Sequence, residues 1–201
     1  TKKTHAKIVA EEKISVAHWG VDTSVFYPLE EERQVLRVLF FGADPVRKGL
    51  IYLLDALPKL NFQVQLWIIG TQLDAEYPNI LQFGLVPHER VPELLRQCDV
   101  MVLPTLEDGR PLSVQECMAS GVVPITTDVA AEPFLVNDES AGFTIPYRNS
   151  TAIVPLLQVL NDNRKILKHK KQLARALAEK QTWPLFVSEF ASALEVTLAS
   201  A

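Results

Sequence analysis

Asp99 to Gly121 reads DVMVLPTLEDGRPLSVQECMASG, and the order of residue types in it decides the fold. Val100 to Leu103 is an apolar run of a length suited to a strand covered on both faces. Pro104 ends it, and Glu107-Asp108-Gly109 is an acidic turn. Pro111 falls where a first helical residue would, since its missing N–H costs nothing there and its fixed φ suits a helix. Leu112 to Ser120 then reads as a helix, with Gly121 suited to the left-handed position that closes one. A strand, a turn and a helix start in this order bring backbone N–H groups and the helix dipole to the carboxyl edge of a sheet, where anions bind. Asp108 in the turn and Glu116 on the second helical turn would repel a bare phosphate. They imply a ligand that carries hydroxyl groups as well.

Further strand candidates lie on either side: Val35 to Phe41, Phe62 to Ile69, Ile80 to Gly84 and Val122 to Thr126. Helical stretches alternate with them, at about Leu50 to Lys59, His88 to Gln97, Thr151 to Leu160 and Asn163 to Glu179, with a last helix to about Leu198. Apolar strands alternating with helices predict an α/β fold with a doubly wound, Rossmann-like parallel sheet. Gly42 ends the first strand, and Arg47 and Lys48 then stand at a helix start, where the dipole disfavours cations. A bound anion removes that conflict. Gly70 ends the second strand, and a turn at about Leu85 to Pro87 follows the third. His88, next in line, reads as a surface residue. Near the N-terminus, Lys3 to Lys13 is a helical candidate and Ile14 to Ala17 a short strand; Asp128 to Val136 reads as a loop and short helix.

Composition narrows the class. The 201 residues are 48% apolar and 22% charged, which suits one sizeable globular domain rather than a disordered chain. A net charge of −4 argues against a nucleic-acid partner, which calls for a basic surface. Cys98 and Cys117 read as lying in apolar helical contexts without metal-site spacing, which fits a reduced, cytoplasmic setting. There is no signal peptide and no apolar run near the ~20 residues of a membrane span. The stretch from Asn163 to Glu179 is basic, with Arg164, Lys165, Lys168, Lys170, Lys171 and Arg175. It offers a contact to anionic lipid at a membrane surface, but a solvated face is the simpler reading. The chain starts with Thr inside its first helical stretch, so an excised fragment is expected.

At Asp108 the segment DGRPLSVQECMASGVVP resembles the signature of glycosyltransferase family 4, a retaining family with the two-Rossmann-domain GT-B fold, written around EGFxLxxLEAMAxGxPV. Asp108 takes the place of the first acid, usually Glu, and Glu116 matches the second; Glu107 is one residue out of register. Gly20 to Pro28, GVDTSVFYP, resembles the family's GVDxxxFxP interdomain link. Gly42 to Gly49 resembles its GRxxxxKG loop, with Lys48 and Gly49 matching and Ala43 in the Arg position. Glu132 to Asp138 with Gly142-Phe143 resembles EixxdgxxG, and Trp183-Pro184 matches the start of the closing helix.

The resemblance implies the C-terminal, donor-binding half of a GT-B enzyme. Residues 1–19 would be the tail of a missing N-terminal acceptor domain, 20–34 the linker, 35–182 the donor domain and 183–201 the closing helix. The donor would be a UDP- or GDP-sugar. Gly42, Arg47, Lys48, Gly70, Leu112 and Ser113 would face its diphosphate, with Arg47 standing in for the charge lost at Ala43. Backbone around Val86 would hold the base and Glu116 the ribose hydroxyls. Asp108, with the amides of Gly109, Arg110 and Leu112, would hold the sugar. Asp108, Glu116 and Lys48 would carry the catalysis, with no cofactor and no metal. Two other classes stay open: a nucleotide-sugar epimerase or phosphorylase on the same fold, and a non-catalytic nucleotide-sugar-binding module, which Ala43 and Asp108 suggest.

Overall fold

The computed structural model describes residues 7–10, 13–31, 33–130 and 141–199. Most of the helical candidate at 3–13, and the Glu132 to Asp138 segment with the short helix expected there, lie outside the described residues. The apolar runs form β1 (Leu36–Phe41), β2 (Val64–Ile69), β3 (Ile80–Gly84), β4 (Val100–Leu103), β5 (Val123–Thr127) and β6 (Phe143–Ile145). The helices are α1 (Leu50–Ala56), α2 (Val91–Leu95), α3 (Leu112–Ala119), α4 (Ile153–Asp162), α5 (Arg164–Ala178) and α6 (Trp183–Ala199). All six strands are parallel, in the order β3-β2-β1-β4-β5-β6. This is the doubly wound sheet expected of the apolar pattern. The order reverses between β1 and β4, so the loops leaving these two strands diverge and open a crevice at the carboxyl edge. Val100 to Leu103 are fully buried, as a central strand covered on both faces requires.

Prolines shorten the expected helices. Pro58 has no N–H to continue α1, whose chain tightens into a 3₁₀ turn at Leu57–Lys59. Pro92 likewise has none to give to His88, whose carbonyl instead accepts from Val91 in a 3₁₀ turn, His88–Arg90. Pro111 stands one residue before its expected place: its ψ of 114° is extended, and it caps α3 rather than joining it. Gly121 has the expected left-handed φ of 71°. Ile14 to Ala17 is irregular, and Cys98 lies in a turn rather than a helix. Both cysteines are buried, and burial pushes the Cys98 thiol up to about 12, so it is no ready nucleophile.

The segment 20–34 is part of the packing. Val21 and Phe26 join the core, and the Asp22 carboxylate accepts the Ser24 N–H at 2.9 Å. From α5, the Arg175 guanidinium donates to the carbonyls of Phe26 at 2.6 Å, Ala119 at 2.7 Å and Thr23 at 3.2 Å. Lys171 pairs with Asp99 at 3.0 Å, Arg164 donates to the Gln34 carbonyl at 2.9 Å, and the Lys170 amine lies 4.1 Å from the Phe143 ring centre. Four of the six cations singled out in this helix are therefore engaged by other residues of the chain, leaving Lys165 and Lys168 exposed. No helix among the described residues is long and apolar enough to cross a membrane.

Gly49 joins the two halves of the sheet. Its φ is +73°, and a Cβ there would fall 2.0 Å from the Pro104 carbonyl oxygen. Only glycine lets the loop after β1 lie this close to the end of β4. Gly49→Ala is expected to lower stability by ~3 kcal/mol or more, read by urea denaturation; a loss under ~1 kcal/mol would show that the loops separate easily.

Candidate functional site

The crevice at the β1/β4 divide is built from two interlocked loops, 42–49 and 104–111. The Arg47 carbonyl accepts from the Leu106 N–H at 2.8 Å and from the Thr105 hydroxyl at 3.0 Å. The Arg47 guanidinium donates to the Glu107 carbonyl at 3.2 Å and, less closely, to Asp44 at 3.4 Å. Asp44 also accepts the Arg47 N–H at 3.0 Å, and that bond holds its carboxyl below the usual range. From β5, the Thr127 hydroxyl donates to the Thr105 carbonyl at 2.8 Å.

Inside this lock, Lys48 Nζ forms an ion pair with the Asp108 carboxylate. Both side chains are sheltered, at 12% and 11% exposed, and Arg47 Nη1 reaches 4.0 Å from the same oxygen. Gly42 makes room for the lysine stem, because a Cβ there would sit 2.9 Å from Lys48 Cγ. Gly70 lies directly against Gly42 and opens the same wall. Glu107 directs its carbonyl at Arg47, and its side chain is exposed.

Glu116 comes from the second turn of α3 and meets a different partner. Its Oε1 is 3.2 Å from His88 Nε2, with Glu116 15% and His88 69% exposed. Burial pushes the Glu116 carboxyl up, against the opposing pull of His88. The His88 ring also stands edge-on to Phe26, with centroids 5.8 Å apart. His88 is the member of the site that sequence reading set aside. Its signal was positional: it follows β3 at the same carboxyl edge that α3 starts from.

The remaining expected residues are spread along the rim. Val86 is half-buried in the turn after β3; Leu112 is exposed and Ser113 half-exposed at the start of α3. Gly109 is exposed, with open space where a side chain would be. Arg110 is held by Gln181, and its Nε lies 2.5 Å from the Gln115 amide, whose other end donates to the Trp19 carbonyl at 2.9 Å. It thus ties the acidic loop to Trp19 and to the segment before α6. Among the described residues, no group of three or more His, Cys, Asp or Glu side chains is arranged to hold a metal ion.

A Rossmann-like sheet with a charged crevice at its switch point is the architecture of a GT-B half-domain. The family model for glycosyl transferases group 1 matches residues 36–163, and the chain belongs to that family. It is 25% identical over 207 residues to the MMP alpha-(1->4)-mannosyltransferase of Mycolicibacterium hassiacum, covering 95% of this chain and 50% of that protein. It is 29% identical over 178 residues to the phosphatidyl-myo-inositol mannosyltransferase of Mycobacterium leprae, covering 81% of this chain and 47% of that protein. The chain thus spans about half the length of these relatives. Among solved structures, Anabaena Alr3699/HepE in complex with UDP-glucose superposes with a TM-score of 0.82 at 18% identity, over 100% of this chain and 61% of that one. The C-terminal domain of a glycosyl transferase group 1 family protein (LpcC) from Francisella tularensis matches with a TM-score of 0.69 at 24% identity, over 81% of this chain and 98% of that one.

Two outcomes follow from this geometry. A diphosphate entering between these loops would have to take Lys48 from Asp108 or share it, so Asp108→Asn is expected to tighten any UDP or GDP binding about threefold to tenfold. The gain should shrink as salt rises, and isothermal calorimetry in two salt concentrations reads both; weaker binding would contradict it. The second concerns Glu116, whose carboxyl is held by burial above its ordinary range. The fold is then favoured by protonation, and that contribution is lost as pH rises through the raised value. Glu116→Gln is therefore expected to raise Tm at pH 7, and to raise it by less at pH 4. A lower Tm at pH 7 would contradict it.

Proposed function

We propose that this chain is the donor-binding half of a retaining hexosyltransferase that takes a UDP- or GDP-sugar. The observation that carries the reading is the Lys48–Asp108 pair at the β1/β4 divide, on the loop that leads into α3, the helix of Glu116. The mannosyltransferases among the relatives agree with a hexosyl donor. Residues 20–34 are read as the linker to an acceptor domain, 1–19 as the tail of that domain, 35–182 as the donor domain and 183–201 as the closing helix.

In this reading Lys48 faces the diphosphate, helped by Arg47 and by the amides of Leu112 and Ser113 at the α3 start. Glu116 accepts the ribose hydroxyls, and backbone at Val86 borders the base. Asp108, once the diphosphate has drawn Lys48 toward itself, accepts hydroxyls of the sugar, and bare Gly109 leaves space for that sugar. As the bond from the sugar's anomeric carbon to the phosphate oxygen breaks, negative charge grows on the departing nucleoside diphosphate. Lys48 and Arg47 stabilise it from fixed positions, so the transfer calls for no metal or cofactor. We place the protein in the cytoplasm, with any membrane contact made by the other half of the enzyme.

Differential scanning fluorimetry with UDP-, GDP- and ADP-sugars tests the reading. One of the UDP- or GDP-sugars is expected to stabilise the chain by about 2.7 kcal/mol at a hundredfold excess over Kd. The same chain alone should transfer sugar far below ~1 s⁻¹, because the acceptor side belongs to the other domain. No stabilisation by any of these sugars would refute the donor-site reading.

A further inference from the structure

His88 touches both things a nucleoside site must coordinate. Its Nε2 is 3.2 Å from Oε1 of the sheltered Glu116, and its ring stands edge-on to Phe26 of the linker. That leaves Oε2 of Glu116 as the oxygen for a ribose. A carboxylate that is 15% exposed and held at one oxygen presents the other in a fixed direction, whereas an unheld one rotates about its last torsion.

We propose that His88 is the positioning residue of Glu116, and that the preference of this site for a ribose follows the protonation of His88. The inference rests on the donor-site reading above. An imidazole ordinarily changes charge between about pH 5 and 8. Protonated His88 donates a charge-assisted bond to Oε1, keeps the carboxylate ionised in its sheltered place and fixes its direction. Neutral His88 loses the charge and, in one tautomer, turns a lone pair toward Oε1.

The other charged groups around the pair are engaged elsewhere or exposed. In the linker, Asp22 binds Ser24, and the Tyr27 hydroxyl accepts from Arg96, which follows α2. Glu89 and Arg90 on the His88 turn, and Glu93 on α2, are exposed. Arg175 of α5 is taken by three carbonyls and Glu179. Next to Glu116, burial raises the Cys117 thiol well above its ordinary range, so it carries no charge near neutral pH. His88 is thus the ionisable side chain in contact with Glu116 among the described residues.

The test measures the affinities of UDP and GDP, each against its 2′,3′-dideoxy counterpart, between pH 5.5 and 8 by calorimetry. The ratio cancels the titration of the phosphate itself and isolates the ribose. In the wild type the ribo-over-dideoxy preference is expected to fall about threefold to tenfold as pH rises. Titration of Glu116 alone would make it rise instead, so the sign separates the two. His88→Gln, which keeps an N–H donor that does not titrate, should retain the preference and lose the pH slope. His88→Ala should hold at every pH the low preference of the wild type at pH 8. Thermal unfolding checks that both variants fold, which the 69% exposure of His88 favours. A flat or rising profile in the wild type, or an unchanged slope in His88→Gln, would overturn the inference while leaving the donor site standing. If neither UDP nor GDP binds, the donor-site reading fails, and the inference with it.

Discussion

The ion pair between Lys48 and Asp108 is the contact on which this site depends. Lys48 reaches it from the loop after β1 and Asp108 from the loop after β4, so it spans the place where the strand order reverses. In an open parallel sheet that reversal is what makes a crevice. Here the crevice is closed at its floor by hydrogen bonds to the Arg47 carbonyl and by the close approach of Gly49 to Pro104. The loops are thereby held in fixed register, and side-chain bonds from Lys48 and Arg47 span the space between them. A donor that brings a diphosphate for Lys48 and hydroxyls for Asp108 satisfies both partners as it parts them.

The far end of the sheet and the last helices serve to hold that register. Asp99 starts the decisive stretch, is almost wholly buried, and accepts from Lys171, from the Arg37 N–H and more distantly from Arg33. A buried carboxylate is tolerable only when paired in this way. Arg175 does the reciprocal work with cationic donors, taking carbonyls from Thr23 and Phe26 and from the end of α3. The basic run of α5 is thus largely internal bonding, and α3, with Glu116 on it, is tied to both the 20–34 segment and α5.

Much of this was legible because it follows from local chemistry. Unbroken apolar runs mark buried parallel strands, Gly121 marks a left-handed helix end, and strands alternating with helices leave few topologies. The family resemblance extended that to the domain's class. What escaped depended on partners distant in sequence. β6 is three residues long and exists through its pairing with β5, and no run of that length announces itself. Cys98 lies outside a helix because α2 stops at Leu95. Lys48 and Asp108 were each singled out, but as groups for different parts of a ligand; that they bind each other depends on a contact 60 residues apart in the chain. His88 was read as a surface residue, which its exposure bears out, yet one edge of its ring meets Glu116 from 28 residues away.

The account stands on one claim: the donor diphosphate replaces Asp108 as the partner of Lys48 at the β1/β4 divide. A crystal structure of this chain with the UDP- or GDP-sugar that stabilises it most tests that claim directly. The account expects the diphosphate within hydrogen-bonding distance of Lys48 Nζ and the α3 start, with the Asp108 carboxylate turned to the sugar. A nucleotide bound elsewhere, with the Lys48–Asp108 pair intact, would contradict it.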